Sequence, residues 1–309
     1  MSSPRDPRFP PDSSVNPDPS LDPSLSDRAI LSYEAPHSAE VQPGTGIGPA
    51  FPPESPFVPQ DLRVPWGWAD LLLLVVVGIG AMVLSTFLLA IIFQSRGIGF
   101  AQLQQSTRDM SIFALADQIV IWLVVFVYLA AQVRLRFDAP FWRTLGWRKL
   151  DISGPWNRFG YLRFIASGLL LSLLVQLASA VFPAKTKLPM ERFFQDRESA
   201  LFLMLMSVLL APVVEETVFR GYIYPVVARS FGIAASVIAT GTLFGLLHAD
   251  QLWGGFWQIA LMVAVGIVFT WVRAATRTVL ASYLLHVSYN SFIFLTFLFS
   301  ADGLRSLPH

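Results

Sequence analysis

Two unlike patterns divide the chain. Residues 1–60 show no apolar periodicity, and 14 of the 22 prolines fall there, with eight acidic and three basic residues. Such a stretch cannot bury enough surface to offset its ordering entropy, so it reads as a disordered tether or spacer. The first apolar run begins near Leu71, too late for a secretory signal. From Val64 onward the pattern is apolar blocks with polar punctuation. A spanning helix needs about 20 mostly apolar residues. Blocks of that kind run at 69–94, 112–132, 161–182, 199–229, 232–249, 256–273 and 278–300. They predict an all-α, polytopic transmembrane bundle of about seven helices, eight at most. No block alternates in the manner of a membrane β-strand. The expected division is a Pro-rich tail over 1–63, two helices and a basic interfacial loop over 64–158, and a chemistry-bearing membrane domain over 159–300.

Composition sharpens this picture. Hydrophobic residues make up 54% and charged residues 14%, where a soluble domain carries about 25% charged. Mean hydropathy is +0.54, so the chain is expected to be an integral, multi-pass membrane protein. A net charge of +1 argues against a nucleic-acid partner. The absence of cysteine excludes disulfides, thiolate metal sites and thiol nucleophiles. Trp66, Trp68, Trp142, Trp147, Trp156 and Trp253 lie near block ends, where amphipathic rings settle at the bilayer boundary. The stretch from Phe141 to Tyr161 mixes Phe, Trp and Arg and reads as interfacial. The 133–163 connection carries Arg134, Arg136, Arg143, Arg148, Lys149, Arg158 and Arg163 against two acids, Asp138 and Asp151. The positive-inside bias places it, and by counting back the N-terminal tail, in the cytoplasm. Lys185, Lys187, Arg192 and Arg197 in the next connection run against that bias.

Ionisable residues inside apolar runs are costly and commonly functional. They concentrate in the last third of this chain. The run Ala211-Pro212-Val213-Val214-Glu215-Glu216-Thr217-Val218-Phe219-Arg220 holds adjacent carboxylates. Successive helical residues point about 100° apart, so the two cannot share one partner equally. Arg220 is four residues from Glu216, the spacing of facing side chains. Glu216 and Arg220 are therefore assigned to a bracing ion pair, and Glu215 to the cavity as a general base. Phe244-Gly245-Leu246-Leu247-His248 supplies an imidazole, after a close-packing face made by Gly241 and Gly245. Phe244 is expected to pack. His286-Val287-Ser288-Tyr289-Asn290 sets a second imidazole and an amide on one helical face, where both could donate to an oxyanion. Asp117, near the outer end of an earlier block, is expected to reach the bilayer interface or to pair with a neighbouring helix.

Depth ties the clusters together. At about 1.5 Å per residue, Glu215 lies about 21 Å from Arg229, and His248 about 24 Å from Gly232. His286 and Asn290 lie about 14 and 20 Å from Arg277. Three helices thus deliver their groups to one layer, provided that 199–229 is a single long helix, bent near Pro212.

Glu-Glu-x-x-x-Arg, then Phe-x-x-x-His, then His-x-x-x-Asn, in that order and each in an apolar segment, resembles the CPBP intramembrane protease family. That family includes the type II CAAX prenyl proteases and the bacteriocin-immunity (Abi) proteins. Ala-Pro before the pair and Arg220-Gly221 after it fit too, and the likeness spans roughly 160–295. The resemblance implies an intramembrane endopeptidase. Glu215 would activate water, His248 would assist, His286 and Asn290 would stabilise the tetrahedral intermediate, and Glu216 and Arg220 would brace the site. The substrate would be a peptide or membrane protein, prenylated in the eukaryotic members. Members are often described as metalloproteases. No His-Glu-x-x-His occurs here. Glu215, His248 and His286 could still ligate a divalent metal such as zinc with an open fourth position. The metal-free reading is preferred, because it leaves Glu215 free as the base. Two other classes compete: a non-catalytic membrane scaffold or regulator on the same fold, and a proton-coupled transporter, for which no internal repeat is evident.

Overall fold

The computed structural model describes residues 58–150 and 159–299, and among these all regular structure is helical. Most of the tail expected to be disordered, together with Asp151, Trp156 and Arg158, lies outside the described residues. The helices are α1 (Trp68–Ser95), α2 (Phe100–Gln105), α3 (Thr107–Ala131), α4 (Phe141–Thr144), α5 (Leu162–Val181), α6 (Arg197–Phe231), α7 (Ile233–Leu247), α8 (Phe256–Thr276) and α9 (Val279–Phe299). A π-helical extension, Gln132–Arg136, prolongs α3. Six of these helices are long and apolar enough to cross a bilayer. The expected block at 232–249 is shorter. It forms α7, whose 15 residues reach only about 22 Å, less than the roughly 30 Å of a hydrocarbon core. Gly232, with φ 80°, turns the chain sharply from α6 into α7. A turn after His248 ends the helix before Asp250.

Local chemistry sets the other boundaries. The Asp70 carboxylate accepts the Gly67 backbone N–H at 2.9 Å, fixing the start of α1. Ser106 and Asp196 cap α3 and α6 by accepting the N–H groups of Asp109 and Ser199. The distribution of side chains is inverted relative to a water-soluble protein. Leu72, Val76, Ile79, Val83 and Phe87 of α1 face outward, whereas Ser85, Ser111, Ser172, Thr240, Thr270, Ser282, Glu216, Arg220 and Arg273 are buried. Outward apolar faces on this scale belong in lipid.

Three close pairings organise the body: α7 along α8, α5 along α9, and α1 along α3. The first rests on Gly241, Gly245 and Gly266. A Cβ on Gly241 or Gly245 would meet the α8 backbone at 2.5 Å, and one on Gly266 would meet the Gly241 carbonyl at 2.3 Å. Of the two expectations for Asp117, the structure shows the pairing with a neighbouring helix: it accepts from Ser85 at 2.5 Å and Thr86 at 3.1 Å on α1.

Two expectations about the start of the body are corrected. Residues 60–62, expected in the tail, form a 3₁₀ turn. Leu62 packs with Tyr224, Ala228 and Val237, and Asp61 pairs with Arg273 at 2.9 Å. A single buried ion pair and one buried leucine are too little to show in a proline-rich pattern. Trp66, expected at the bilayer boundary, is 1% exposed. Its ring stacks on Tyr222 at 4.7 Å, and its N–H donates to the Tyr222 carbonyl at 2.9 Å. Trp68, Trp142 and Trp253 do lie exposed.

Candidate active site

The long helix α6 carries the acidic pair and is not uniform. Its α-helical parts alternate with π segments at Met206–Leu210 and Thr217–Ile223. Each α-helical part that follows a π segment has a proline at its second residue, Pro212 and Pro225. A proline offers no N–H and pushes away the carbonyl four residues earlier, and a widened turn absorbs that conflict. Glu215 and Glu216 lie between the two π segments.

The two carboxylates have different surroundings. Glu216 is fully buried. Its Oε1 accepts from Arg220 Nη1 at 3.0 Å and lies 3.0 Å from His286 Nδ1. Glu215 retains 15% of its side-chain exposure, and its Oε2 stands 3.8 Å from His286 Nε2. The imidazole of His286 thus lies between the two acids. An acceptor at Nδ1 places the ring proton there, so the neutral ring offers a lone pair at Nε2.

Arg220 is the most constrained cation of the site. It is fully buried and uses all three nitrogens: Nη1 to Glu216, Nη2 to the Gly266 carbonyl at 3.0 Å, and Nε to Thr270 Oγ1 at 3.3 Å. Its guanidinium lies over Phe244 at 4.4 Å and near Phe269 at 5.4 Å. Phe244 is 1% exposed and forms an aromatic floor, with its ring centre 4.7 Å from that of His248 and 5.9 Å from that of His286. The expected packing role of Phe244 therefore includes both imidazoles.

His248 follows the last residue of α7. Its Nδ1 donates to the Phe244 carbonyl at 2.8 Å, because a carbonyl can only accept. Its Nε2 is then an acceptor as well. Asn290 lies one turn beyond His286 on α9 and donates from Nδ2 to the Ser207 carbonyl at 2.7 Å. That carbonyl lies in the first π segment, where the Ala211 N–H is directed to Met206 and the next residue, Pro212, has none. One amide hydrogen of Asn290 therefore satisfies an acceptor freed by proline, and the other is uncommitted. An apolar recess lined by Met204, Leu205, Val208, Phe294, Leu295 and Leu298 runs along the α6–α9 seam, next in sequence to this contact.

The structure joins Glu215, Glu216, Arg220 and His286 directly. It links His248 to them through Phe244 and holds Asn290 against α6. Residues 197–292 match the family model for Rce1-like type II CAAX prenyl endopeptidases. The matched Rce1-like segment runs from the start of α6 to two residues past Asn290 and contains all three motifs. That segment is thus similar to CAAX-type intramembrane proteases. With six long apolar helices, it makes the chain an integral, multi-pass membrane protein. Neither a curated protein nor a solved structure gives a significant match to the chain.

Among the described residues, no three His, Asp or Glu side chains are grouped closely enough to hold a metal ion. As placed, Glu215 and His286 approach within 3.8 Å, and His248 joins them through Phe244. Sequence reasoning passed over Gly266, Phe269 and Thr270 on α8, which carry no ionisable group. Their only signal was a small and a hydroxyl residue four apart in an otherwise apolar block. It also passed over Ser207, whose role depends on its carbonyl.

Proposed function

We propose that the chain is an intramembrane endopeptidase that hydrolyses a peptide bond at the bilayer, with Glu215 as the general base. The reading is carried by the 3.8 Å approach of Glu215 Oε2 to His286 Nε2, with the far side of that ring fastened to Glu216. One water oxygen can lie about 2.8 Å from both atoms. Glu215 takes a proton from this water as the oxygen attacks the scissile carbonyl, and passes that proton to the departing amine. Net, one water is consumed, and a carboxylic acid and an amine are released.

His248 assists by accepting from the water through Nε2, the orientation that its bond to Phe244 favours. The tetrahedral oxyanion is stabilised by the free N–H of Asn290 and by His286, which enters and leaves the cycle as the imidazolium and donates from Nε2, first to the water oxygen and then to the oxyanion. Glu216 and Arg220 do not touch the reacting atoms and brace the ring. The substrate is a peptide or membrane-protein segment, and a prenylated tail is the class to try first on the strength of the Rce1-like match.

The test uses the full chain in lipid nanodiscs and a quenched-fluorescence peptide ending in a farnesylated CAAX sequence. In parallel, the termini of membrane proteins are sequenced from cells carrying wild type or Glu215→Gln. Glu215→Gln should cost at least about 100-fold in kcat with unchanged yield and thermal stability, and new termini should appear only with wild type. Cleavage should persist in EDTA. Loss in EDTA with recovery in zinc would overturn the metal-free form. Identical termini, with a phenotype rescued by both proteins, would leave the scaffold reading.

A further inference from the structure

The proposed chemistry draws on α6, α7 and α9. Helix α8 supplies no group to it, yet its face built from Gly266, Phe269 and Thr270 is packed into the site. Thr270 is fully buried. Its hydroxyl donates to the Gly266 carbonyl at 2.8 Å, which turns an oxygen lone pair towards Arg220 Nε at 3.3 Å. The same Gly266 carbonyl accepts Arg220 Nη2 at 3.0 Å. Phe269 lays its ring 4.6 Å from that of His286. Arg220 is thereby clamped on the side opposite Glu216, and Glu216 Oε1 is shared between Arg220 and His286 Nδ1.

From this chain of contacts we infer that Thr270 is a positioning residue of the site: by clamping Arg220 it fixes Glu216, and through Glu216 it aims His286 Nε2 at Glu215. The clamp is specific in its chemistry. A guanidinium is a planar fork with donors in fixed directions. Two of its nitrogens are held by α8 and one by the carboxylate, so its plane cannot rotate without breaking a buried hydrogen bond. Without the hydroxyl, Nε has no acceptor and the fork can tilt about the Gly266 carbonyl. Glu216 then follows, and the separation between the imidazole and the reacting carboxylate is no longer fixed. Valine matches threonine in shape but not in hydrogen bonding, and serine keeps the hydroxyl.

The inference rests on the endopeptidase reading, so the experiment reads each separately. Wild type, Thr270→Val, Thr270→Ser and Glu215→Gln are compared in nanodiscs with the farnesylated peptide. The expected result is that Thr270→Val lowers kcat about tenfold, the scale of a slightly misaimed group, with KM within about twofold, and that Thr270→Ser recovers most of the loss. A second measurement needs no turnover. The chain has four histidines, so ring-¹⁵N labelling, with His286→Gln to assign the signal, follows the His286 ring directly. Thr270→Val should move the His286 Nδ1 resonance, and Thr270→Ser should restore it. Wild-type kcat and an unmoved resonance in Thr270→Val would overturn the positioning role while leaving the protease reading intact. Undiminished cleavage by Glu215→Gln would instead overturn the proposed mechanism with Glu215 as base, and no cleavage by wild type would overturn the protease reading; in either case the resonance would then decide the role of Thr270 alone. If Thr270→Val does not accumulate in the membrane, Thr270→Ala is read against Thr270→Ser by the same two measurements.

Discussion

Arg220 and Arg273 make an instructive pair. Both are fully buried, each bonds a carboxylate at about 3 Å, and each lies near aromatic rings, Arg273 over Tyr224 at 5.3 Å. They differ in what lies behind the carboxylate. The partner of Arg273 is Asp61, which also offers its backbone carbonyl at 3.3 Å, and the network ends there. It fastens the chain ahead of α1 to α8, while Arg229 ties the same stretch to α6 by donating to the carbonyls of Val64 and Trp66. The partner of Arg220 is Glu216, whose oxygen is shared with His286, and behind His286 stands Glu215, partly exposed and 3.8 Å away. A closed pair fixes geometry and leads on to no further carboxylate or imidazole. The extended one carries that rigidity to Glu215, the group proposed to react.

The largest expected effects come from breaking the two pairs in the same way. Glu216→Gln and Asp61→Asn each leave a buried arginine without its countercharge, a change that costs about 3–5 kcal/mol in general. Both variants should denature at clearly lower temperature than wild type in the same detergent. Their activities should diverge. Asp61→Asn that remains folded should keep the kcat of wild type, whereas folded Glu216→Gln should lose most of it, because the ring that it aims faces Glu215. Equal loss of kcat per folded molecule in both would show that the two networks do not differ in kind. Equal retention would remove Glu216 from any role in aiming His286.

The same contrast explains how much could be read in advance. The acidic pair, Arg220, His248, His286 and Asn290 stood out because an ionisable or amide group in an apolar run is conspicuous, and helical rise alone set them at one depth. The helices were legible for the same reason, by length and apolarity. Asp61 was hidden, since an acid in a proline-rich stretch carries no signal until its partner across more than 200 residues is known. Trp66 was misassigned because boundary and core tryptophans look alike in sequence. The stabilising role of α8 was invisible, resting on a glycine carbonyl and one hydroxyl. The π segments of α6 follow from its prolines only in retrospect, as the pattern signals an interruption and not which carbonyl is set free.

That freed carbonyl gives the smaller and more discriminating prediction. Asn290 Nδ2 donates to Ser207 at 2.7 Å, and Pro212 removes the backbone N–H that would otherwise be available there. Asn290→Ala should leave a partly buried acceptor unsatisfied and cost about 1 kcal/mol. It should also remove the second amide hydrogen proposed for the oxyanion. The double variant Asn290→Ala/Pro212→Ala separates the two effects, because residue 212 regains an N–H that can take over Ser207 or let the π segment relax to an ordinary turn. Thermal stability should return in the double variant, a coupling between neighbours that a double-mutant cycle measures directly, while cleavage stays low. If cleavage returns with stability, Asn290 is a fastener between α6 and α9, and the oxyanion must find its donors in His286 and its neighbours. If neither returns, the Ser207 contact is not what ties α9 to α6, and the register of His286 against Glu216 must be held by the packing of α9 on α5, where a Cβ on Gly168 would meet the Leu285 carbonyl at 2.3 Å.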